Sequence, residues 1–190
     1  YFIIPLTIGD YLSRYPYGDV DTSHSAFADA EREVKDKTEK MMSIQGSQTV
    51  ESLHRELGRI MWDDCGIARN SEGLHKALEK IPELRDRFWN DLRITGTSTK
   101  LNQTLEHAGR LADFLEFSEL MCHDALARDE SCGCHFREEH QTEEGEALRD
   151  DANFSHVSVW EHKGVDKKPE MHKEPLSFEA LPLAQRNYKT

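Results

Sequence analysis

No glycine cluster in this chain is spaced to hold a phosphate. The eleven glycines never fall into G-x-G-x-x-G or the G-K-[ST] of a P-loop, so the usual glycine-rich turn that cradles a dinucleotide or nucleoside triphosphate is missing. G-x-S-x-G and H-E-x-x-H are absent as well, and with them two common signs of hydrolytic chemistry. Basic residues are too few to offset the acids: 24 Lys and Arg stand against 36 Asp and Glu, a net charge of −12. The phosphate term for nucleic acid or an anionic membrane surface is then repulsive, and no basic stripe with interleaved aromatics counters it. No apolar run is long enough to span a bilayer. Cysteine is limited to Cys65, Cys122, Cys132 and Cys134. With no secretory signal before them, the expectation is reduced thiols in a cytosolic protein rather than a disulfide framework.

What the chain does have is helical periodicity. At 190 residues, 37% hydrophobic and 32% charged, it suits one domain with a thin helical core and much solvated surface. Residues 1–23 open with the apolar "YFIIPLTIGDYL", which lacks an initiator Met and reads as the tail end of a preceding domain, followed by a turn-rich linker. Residues 24–131 read as a helical bundle. Phe27, Ala30, Val34 and Met41 mark a first helix that Gly46 breaks. Val50, Leu53, Leu57, Ile60 and Met61 mark a second, with Gly66 just past its end. Leu74, Ala77, Leu78, Ile81, Leu84, Phe88 and Leu92 mark a third, capped by Ser71 and kinked at Pro82. The fourth and longest runs from about Lys100 to Asp129. Between Leu111 and Leu126 it is apolar on more than one side, which calls for partners on more than one side. Residues 132–190 read as an irregular segment, a hairpin from "FSHVSVWEHK" and "PLSFEAL", and a tail. The fold class expected is mainly α: an antiparallel up-and-down bundle of three core helices plus one preceding helix, with a short C-terminal β-hairpin.

One stretch, "ARDESCGCHFREEH", concentrates reactive side chains. Cys132, Cys134, His135 and His140 are zinc-compatible donors. C-x-C-H, however, is not the paired C-x₂-C spacing, and no second cysteine pair exists, so a helix end packed with compact side chains is the preferred reading. A cysteine nucleophile beside His135 and Arg137 is opposed by Asp129, Glu130, Glu138 and Glu139, which disfavour a thiolate. Glu116 and Glu119 read as a solvated or salt-bridged helix face rather than an acid–base pair.

Taken in order, "WDDCGIARNSEGLHKALEKIPELRDRF", "SELMCHDALARDESCGCHFREEH", "RDDANF" and "LPLAQRNYK" resemble the C-terminal region of the flavoprotein subunit of succinate dehydrogenase and fumarate reductase. The resemblance covers nearly the whole chain. His135 and Arg137 match the family's E-S-R-G-x-H-type segment. Cys132 stands where the family usually has arginine, and Cys134 replaces a small apolar residue. The acidic "EEHQTEEGEALRDD" segment and the cysteines resemble the branch with di-haem cytochrome b partners.

The resemblance implies a parent oxidoreductase that interconverts succinate and fumarate through FAD in respiratory electron transfer. It implies partners in the flavin domain of the same subunit, an iron–sulfur subunit and a membrane cytochrome b, and a cytoplasmic location peripheral to the inner membrane. It places the catalytic and flavin-binding residues upstream of Tyr1. This chain is then expected to hold neither catalytic residues nor cofactor, and to be inactive alone. Gly133, His135 and Arg137 are expected to dock the missing flavin domain, with donors left under-satisfied in the chain by itself. An independent metal-binding module on residues 122–140 and a free-standing helical interaction module are the alternatives.

Overall fold

The computed structural model describes residues 2–15, 21–164 and 167–184. The expectations placed on 16–20 (turn-rich linker) and 185–190 (end of the tail) lie outside those residues. The chain divides into two compact units, Tyr1–Lys40 and Met41–Thr190. The boundaries expected from the sequence are 23/24 and 131/132.

The first unit holds α1 (Ile3–Arg14) and most of α2 (Ser25–Ser43). The opening segment is thus helical from Ile3 to Arg14 rather than an irregular apolar tail. Pro5 falls in the first turn of α1, where a missing N–H costs nothing. The stripe expected on α2 is only partly buried. Phe27 and Val34 are exposed, whereas Met41, in the second unit, joins the core.

The second unit is built on α3 (Val50–Asp64), α4 (Ser71–Asp91) and α5 (Gln103–Ala127), which pack on one another. Their apolar stripes form one core: Leu53, Leu57 and Ile60 from α3, Leu74, Ile81, Leu84 and Phe88 from α4, and Leu111, Leu115 and Cys122 from α5. Each helix starts on a side-chain cap. Thr49 Oγ1 accepts from Ser52 N at 3.2 Å, Asn70 Oδ1 from Gly73 N at 2.8 Å, and Asn102 Oδ1 from Leu105 N at 3.1 Å. The cap of α4 is therefore Asn70, not Ser71. Asn70 has the extended backbone a cap needs, and Ser71 is already the first helical residue. α4 runs unbroken through Pro82.

Two-residue parallel ladders close the ends of the bundle. β1 (Gln48–Thr49) pairs with β3 (Leu92–Arg93), and β2 (Ala68–Arg69) pairs with β4 (Phe136–Arg137). β1 leads into α3 and β3 follows α4, so the start of α3 lies beside the end of α4. β2 leads into α4 and β4 follows α5, so the start of α4 lies beside the end of α5. Both neighbouring pairs of helices are antiparallel, as the fold class expected. At the first ladder Gly46 N donates to Leu92 O at 3.0 Å. A Cβ on Gly46 would sit 2.0 Å from the Asp91 carbonyl, so only glycine allows this approach.

A one-turn helix α6 (Asp151–Phe154) leads into the antiparallel hairpin of β5 (His156–Glu161) and β6 (Glu170–Pro175). The hairpin is where the sequence placed it, but its second strand is "EMHKEP", not "PLSFEAL". This corrects the earlier assignment. Charge pairing overrides β-propensity here: Glu161 stands opposite Glu170, and Lys163 Nζ bridges both carboxylates at 3.0 and 2.8 Å. Trp160 Nε1 donates to Asp124 Oδ1 at 2.7 Å and ties the hairpin to α5.

Candidate functional site

The C-terminus of α5 sets the problem that the segment after it solves. The last carbonyls of a helix have no partners within it and carry the negative end of its dipole. Arg137 returns to meet them. Its Nη1 donates to Ala125 O at 3.1 Å and reaches Leu126 O at 3.5 Å; Nη2 pairs with Asp129 Oδ1 at 3.1 Å and Nε with Glu139 Oε2 at 3.2 Å. Every guanidinium nitrogen has a partner in this chain, and the residue is only 2% exposed. The expectation that Arg137 offers free donors to a missing domain is corrected: its planar fork is spent on the end of α5.

The neighbours of Arg137 extend the clamp. Ser131, fully buried, accepts from Arg137 N at 2.8 Å and donates to Arg137 O at 3.1 Å through the same hydroxyl. His135 Nε2 lies 2.8 Å from Arg128 O, so this nitrogen carries the proton and donates. Burial lowers the pKa of His135, and the cations of Arg69, Arg137 and Arg128 act in the same direction, although the bond to the Arg128 carbonyl opposes them. Phe136 N donates to Ile67 O and Glu138 N to Arg69 O, forming the β2–β4 ladder. The acids beyond it reach the start of α4. Glu138 accepts from Asn70 Nδ2 at 2.6 Å, and Glu139 accepts from Ser71 N. "FREEH" therefore serves the negative end of one helix with a cation and the positive end of another with carboxylates.

A second polar layer joins this clamp to the hairpin. Glu130, 3% exposed, takes Arg128 Nη1 at 2.6 Å and Asp150 N at 2.8 Å. Arg128 Nη2 donates to His156 O at 2.9 Å. A shallow depression of about 570 Å³ lies over Glu130, His140, Arg149 and Phe154. Its charged groups are matched within the chain: His140 by Asp129 at 2.7 Å and Arg149 by Asp151 at 2.5 Å. Charges paired in this way anchor a loop.

The four zinc-compatible donors do not converge. His135 and His140 each commit Nε2 to a protein oxygen, while Cys132 and Cys134 are exposed at the tip of a turn. The turn is tight: Cys132 N donates to His135 O at 2.8 Å and His135 N to Cys132 O at 3.0 Å, with Gly133 at φ +59°. Among the described residues, the metal-capable atoms that do gather are those of exposed Glu161, Glu170 and His172. Lys163 Nζ already bridges its two carboxylates. The signal for it was the cross-strand register, which the misplaced second strand concealed. Glu119 pairs with Arg85 and Glu116 is exposed, in keeping with the salt-bridged and solvated face expected of them.

A second apolar face of α5 is largely exposed among the described residues. Phe114, Phe117 and Met121, at helical spacing, are 43%, 59% and 41% exposed, with His54 stacked on Phe114.

Comparison with known proteins places this geometry. Residues 54–188 match the family described as fumarate reductase flavoprotein C-term. A fumarate reductase flavoprotein subunit of Escherichia coli (strain K12) is 33% identical over 156 residues, which are 82% of this chain and 25% of the relative. A succinate dehydrogenase flavoprotein subunit of Bacillus subtilis is 25% identical over 168 residues, 88% of this chain and 28% of the relative. Among solved structures, a chain of E. coli quinol fumarate reductase superposes with a TM-score of 0.73 at 29% identity, covering 88% of this chain and 27% of that one. The chain thus spans roughly a quarter of the length of the curated relatives it matches. The resemblance, the antiparallel three-helix core and these matches agree: the chain belongs to the C-terminal domain family of fumarate reductase and succinate dehydrogenase flavoprotein subunits.

Proposed function

We propose that this chain is the C-terminal part of such a subunit and braces the flavin-carrying part without doing chemistry itself. The observation that carries this reading is the second face of α5. A core helix of the bundle exposes three large apolar side chains at helical spacing, and such a patch is characteristic of an interface. The residues present do not fit FAD. The chain has no phosphate-cradling glycine turn, and its parallel ladders are only two residues long, far short of a dinucleotide-binding sheet. The flavin and the substrate groups then belong to the portion that the relatives carry beyond this match.

In this reading the whole subunit interconverts succinate and fumarate and exchanges electrons with an iron–sulfur subunit and a membrane cytochrome b. It sits on the cytoplasmic side of the inner membrane, held there by its partners. No helix among the described residues is long and apolar enough to cross a membrane. The similar solved structures include quinol fumarate reductase and a mycobacterial Sdh1 complex, which supports a place in a multi-subunit assembly.

The test compares this chain with the intact gene product. The intact product is expected to show flavin absorbance and succinate oxidation with an artificial acceptor, and this chain neither. Hydroxyl-radical footprinting should label Phe114, Phe117 and Met121 strongly in the chain alone and weakly in the intact product. Flavin bound by the chain alone, or equal labelling in both, overturns the reading.

A further inference from the structure

The clamp on α5 leaves one chemical feature unused: two exposed thiols on a rigid turn. We propose that Cys132 and Cys134 form a redox-active dithiol that closes to an intramolecular disulfide by exchange with a low-molecular-weight disulfide. The inference goes beyond the bracing role and does not depend on docking through α5.

Three observations carry it. First, the thiols divide cleanly by position. Cys65 and Cys122 are buried in the helical core, whereas Cys132 and Cys134 are both exposed. Second, the turn that holds the exposed pair is fixed from below. Glu130 and Ser131 are buried on its entering side, Arg137 on its leaving side, and His135 is bonded to Arg128 O. Two backbone hydrogen bonds between Cys132 and His135 close it. Third, Gly133 supplies the geometry. Its positive φ makes a sharp reversal, and nothing lies within 4 Å of where a side chain would be. Residues two apart in such a reversal have Cα atoms about 5.5 Å apart, from the fixed 3.8 Å step between neighbours. A disulfide takes Cα separations of about 4.4–6.8 Å.

The exchange balances as follows. One thiol loses its proton and attacks a sulfur of the small disulfide. The small S–S bond breaks, and one half leaves as a thiolate that takes up a proton. The second cysteine then attacks the protein sulfur of the mixed disulfide and expels the other half as a second thiol. The protein pair is oxidised by two electrons, and the small disulfide is reduced to two thiols.

The test uses the intact gene product, reduced and handled without oxygen, then titrated with oxidised glutathione. Free thiols are alkylated at each point and located by peptide mass spectrometry. The expected result is the paired loss of alkylation at Cys132 and Cys134, with a crosslinked peptide and little glutathione adduct, while Cys65 and Cys122 remain reduced. Cys132→Ser and Cys134→Ser should each stop at a persistent mixed disulfide on the remaining cysteine. Gly133→Val, which strains the positive φ, should slow ring closure and let the mixed disulfide accumulate. Three results overturn the proposal: both thiols staying alkylatable throughout, independent glutathionylation of each without closure, or oxidation of Cys65 and Cys122 ahead of this pair.

Discussion

Replacing Arg137 probes the clamp directly. Arg137→Ala removes the donors that meet Ala125 O and Leu126 O. Buried carbonyls left without partners cost about 1–3 kcal/mol, and hydrogen bonds made by a charged donor contribute about 1.5–3 kcal/mol. A cation at a partly buried helix C-terminus adds up to about 2 kcal/mol. The ion pairs contribute less, because Asp129 and Glu139 are 61% and 39% exposed and screened by water. These contributions overlap, so the expected loss is about 3–5 kcal/mol, the range for truncating one member of a buried charged network. A unit of roughly 150 residues has about 7–20 kcal/mol to lose, so the variant should still fold. Its melting temperature should fall by about 2–4 °C per kcal/mol.

Urea unfolding followed by circular dichroism measures the loss. Arg137→Lys separates shape from charge. A single ammonium cannot reach Ala125 O, Asp129 and Glu139 together, so it should recover less than half of the loss. A change below about 1 kcal/mol for Arg137→Ala at an unchanged urea slope, or full recovery by lysine, refutes the account of the clamp.

Leu115→Ala, at a fully buried site, should cost about 2–5 kcal/mol, and Phe117→Ala on the open face of α5 less than about 1 kcal/mol in this chain; equal costs in urea unfolding would mean that the two faces are misassigned. Gly46→Ala should destabilise by at least about 1–3 kcal/mol, because its Cβ meets the Asp91 backbone rather than a movable side chain, and a stability unchanged in thermal melts would contradict the close approach. His135 has a folded pKa below its unfolded value, so the unfolded chain binds the proton first, and stability falls as pH drops below about 6.5. His135→Gln should flatten the pH dependence of urea midpoints between about pH 7 and the lowered folded pKa; an unchanged slope would remove His135 from the cause.

The helices were legible because periodicity is local. Leu53, Leu57 and Ile60, or Leu74, Ile81 and Phe88, declare a buried face within a few turns of chain, and the core contains them all. The end of α5 was legible only in part. That "CGCHFREEH" packed against something followed from its density of polar groups after a long apolar helix, but the partner expected was a missing domain. Within this chain its polar groups bond to the end of α5 at Ala125 and Leu126 and to the start of α4 at Asn70 and Ser71. Sequence spacing carries no trace of which two residues will form a two-residue ladder, and the β2–β4 register is what turns Arg137 inward. The same lack of register information moved the second hairpin strand. "PLSFEAL" has the stronger β-propensity, yet Lys163 between Glu161 and Glu170 is a non-local electrostatic choice that no propensity encodes.

The two faces of α5 explain why its polar end is built so heavily. Its inner stripe of Leu111, Leu115 and Cys122 is held by α3 and α4, but Phe114, Phe117 and Met121 stay largely exposed, with His54 stacked on Phe114. A helix packed on one side only can roll about its axis at little cost to a greasy core, since a core of similar volume tolerates repacking. Directional bonds resist that roll. Arg137 and His135 hold the carbonyls of the last turn, Trp160 holds Asp124 one turn earlier, and Arg128 holds the hairpin strand. Together they fix the rotation of α5, and with it the bearing of the open apolar face, before any partner arrives. On the bracing reading, a preset bearing lowers the ordering cost of docking. Weakening the clamp should then weaken docking even though no clamp residue lies on the docking face. Arg137→Ala in the intact gene product should raise hydroxyl-radical labelling of Phe117 relative to the unmodified protein. Unchanged labelling there would separate the clamp from the interface.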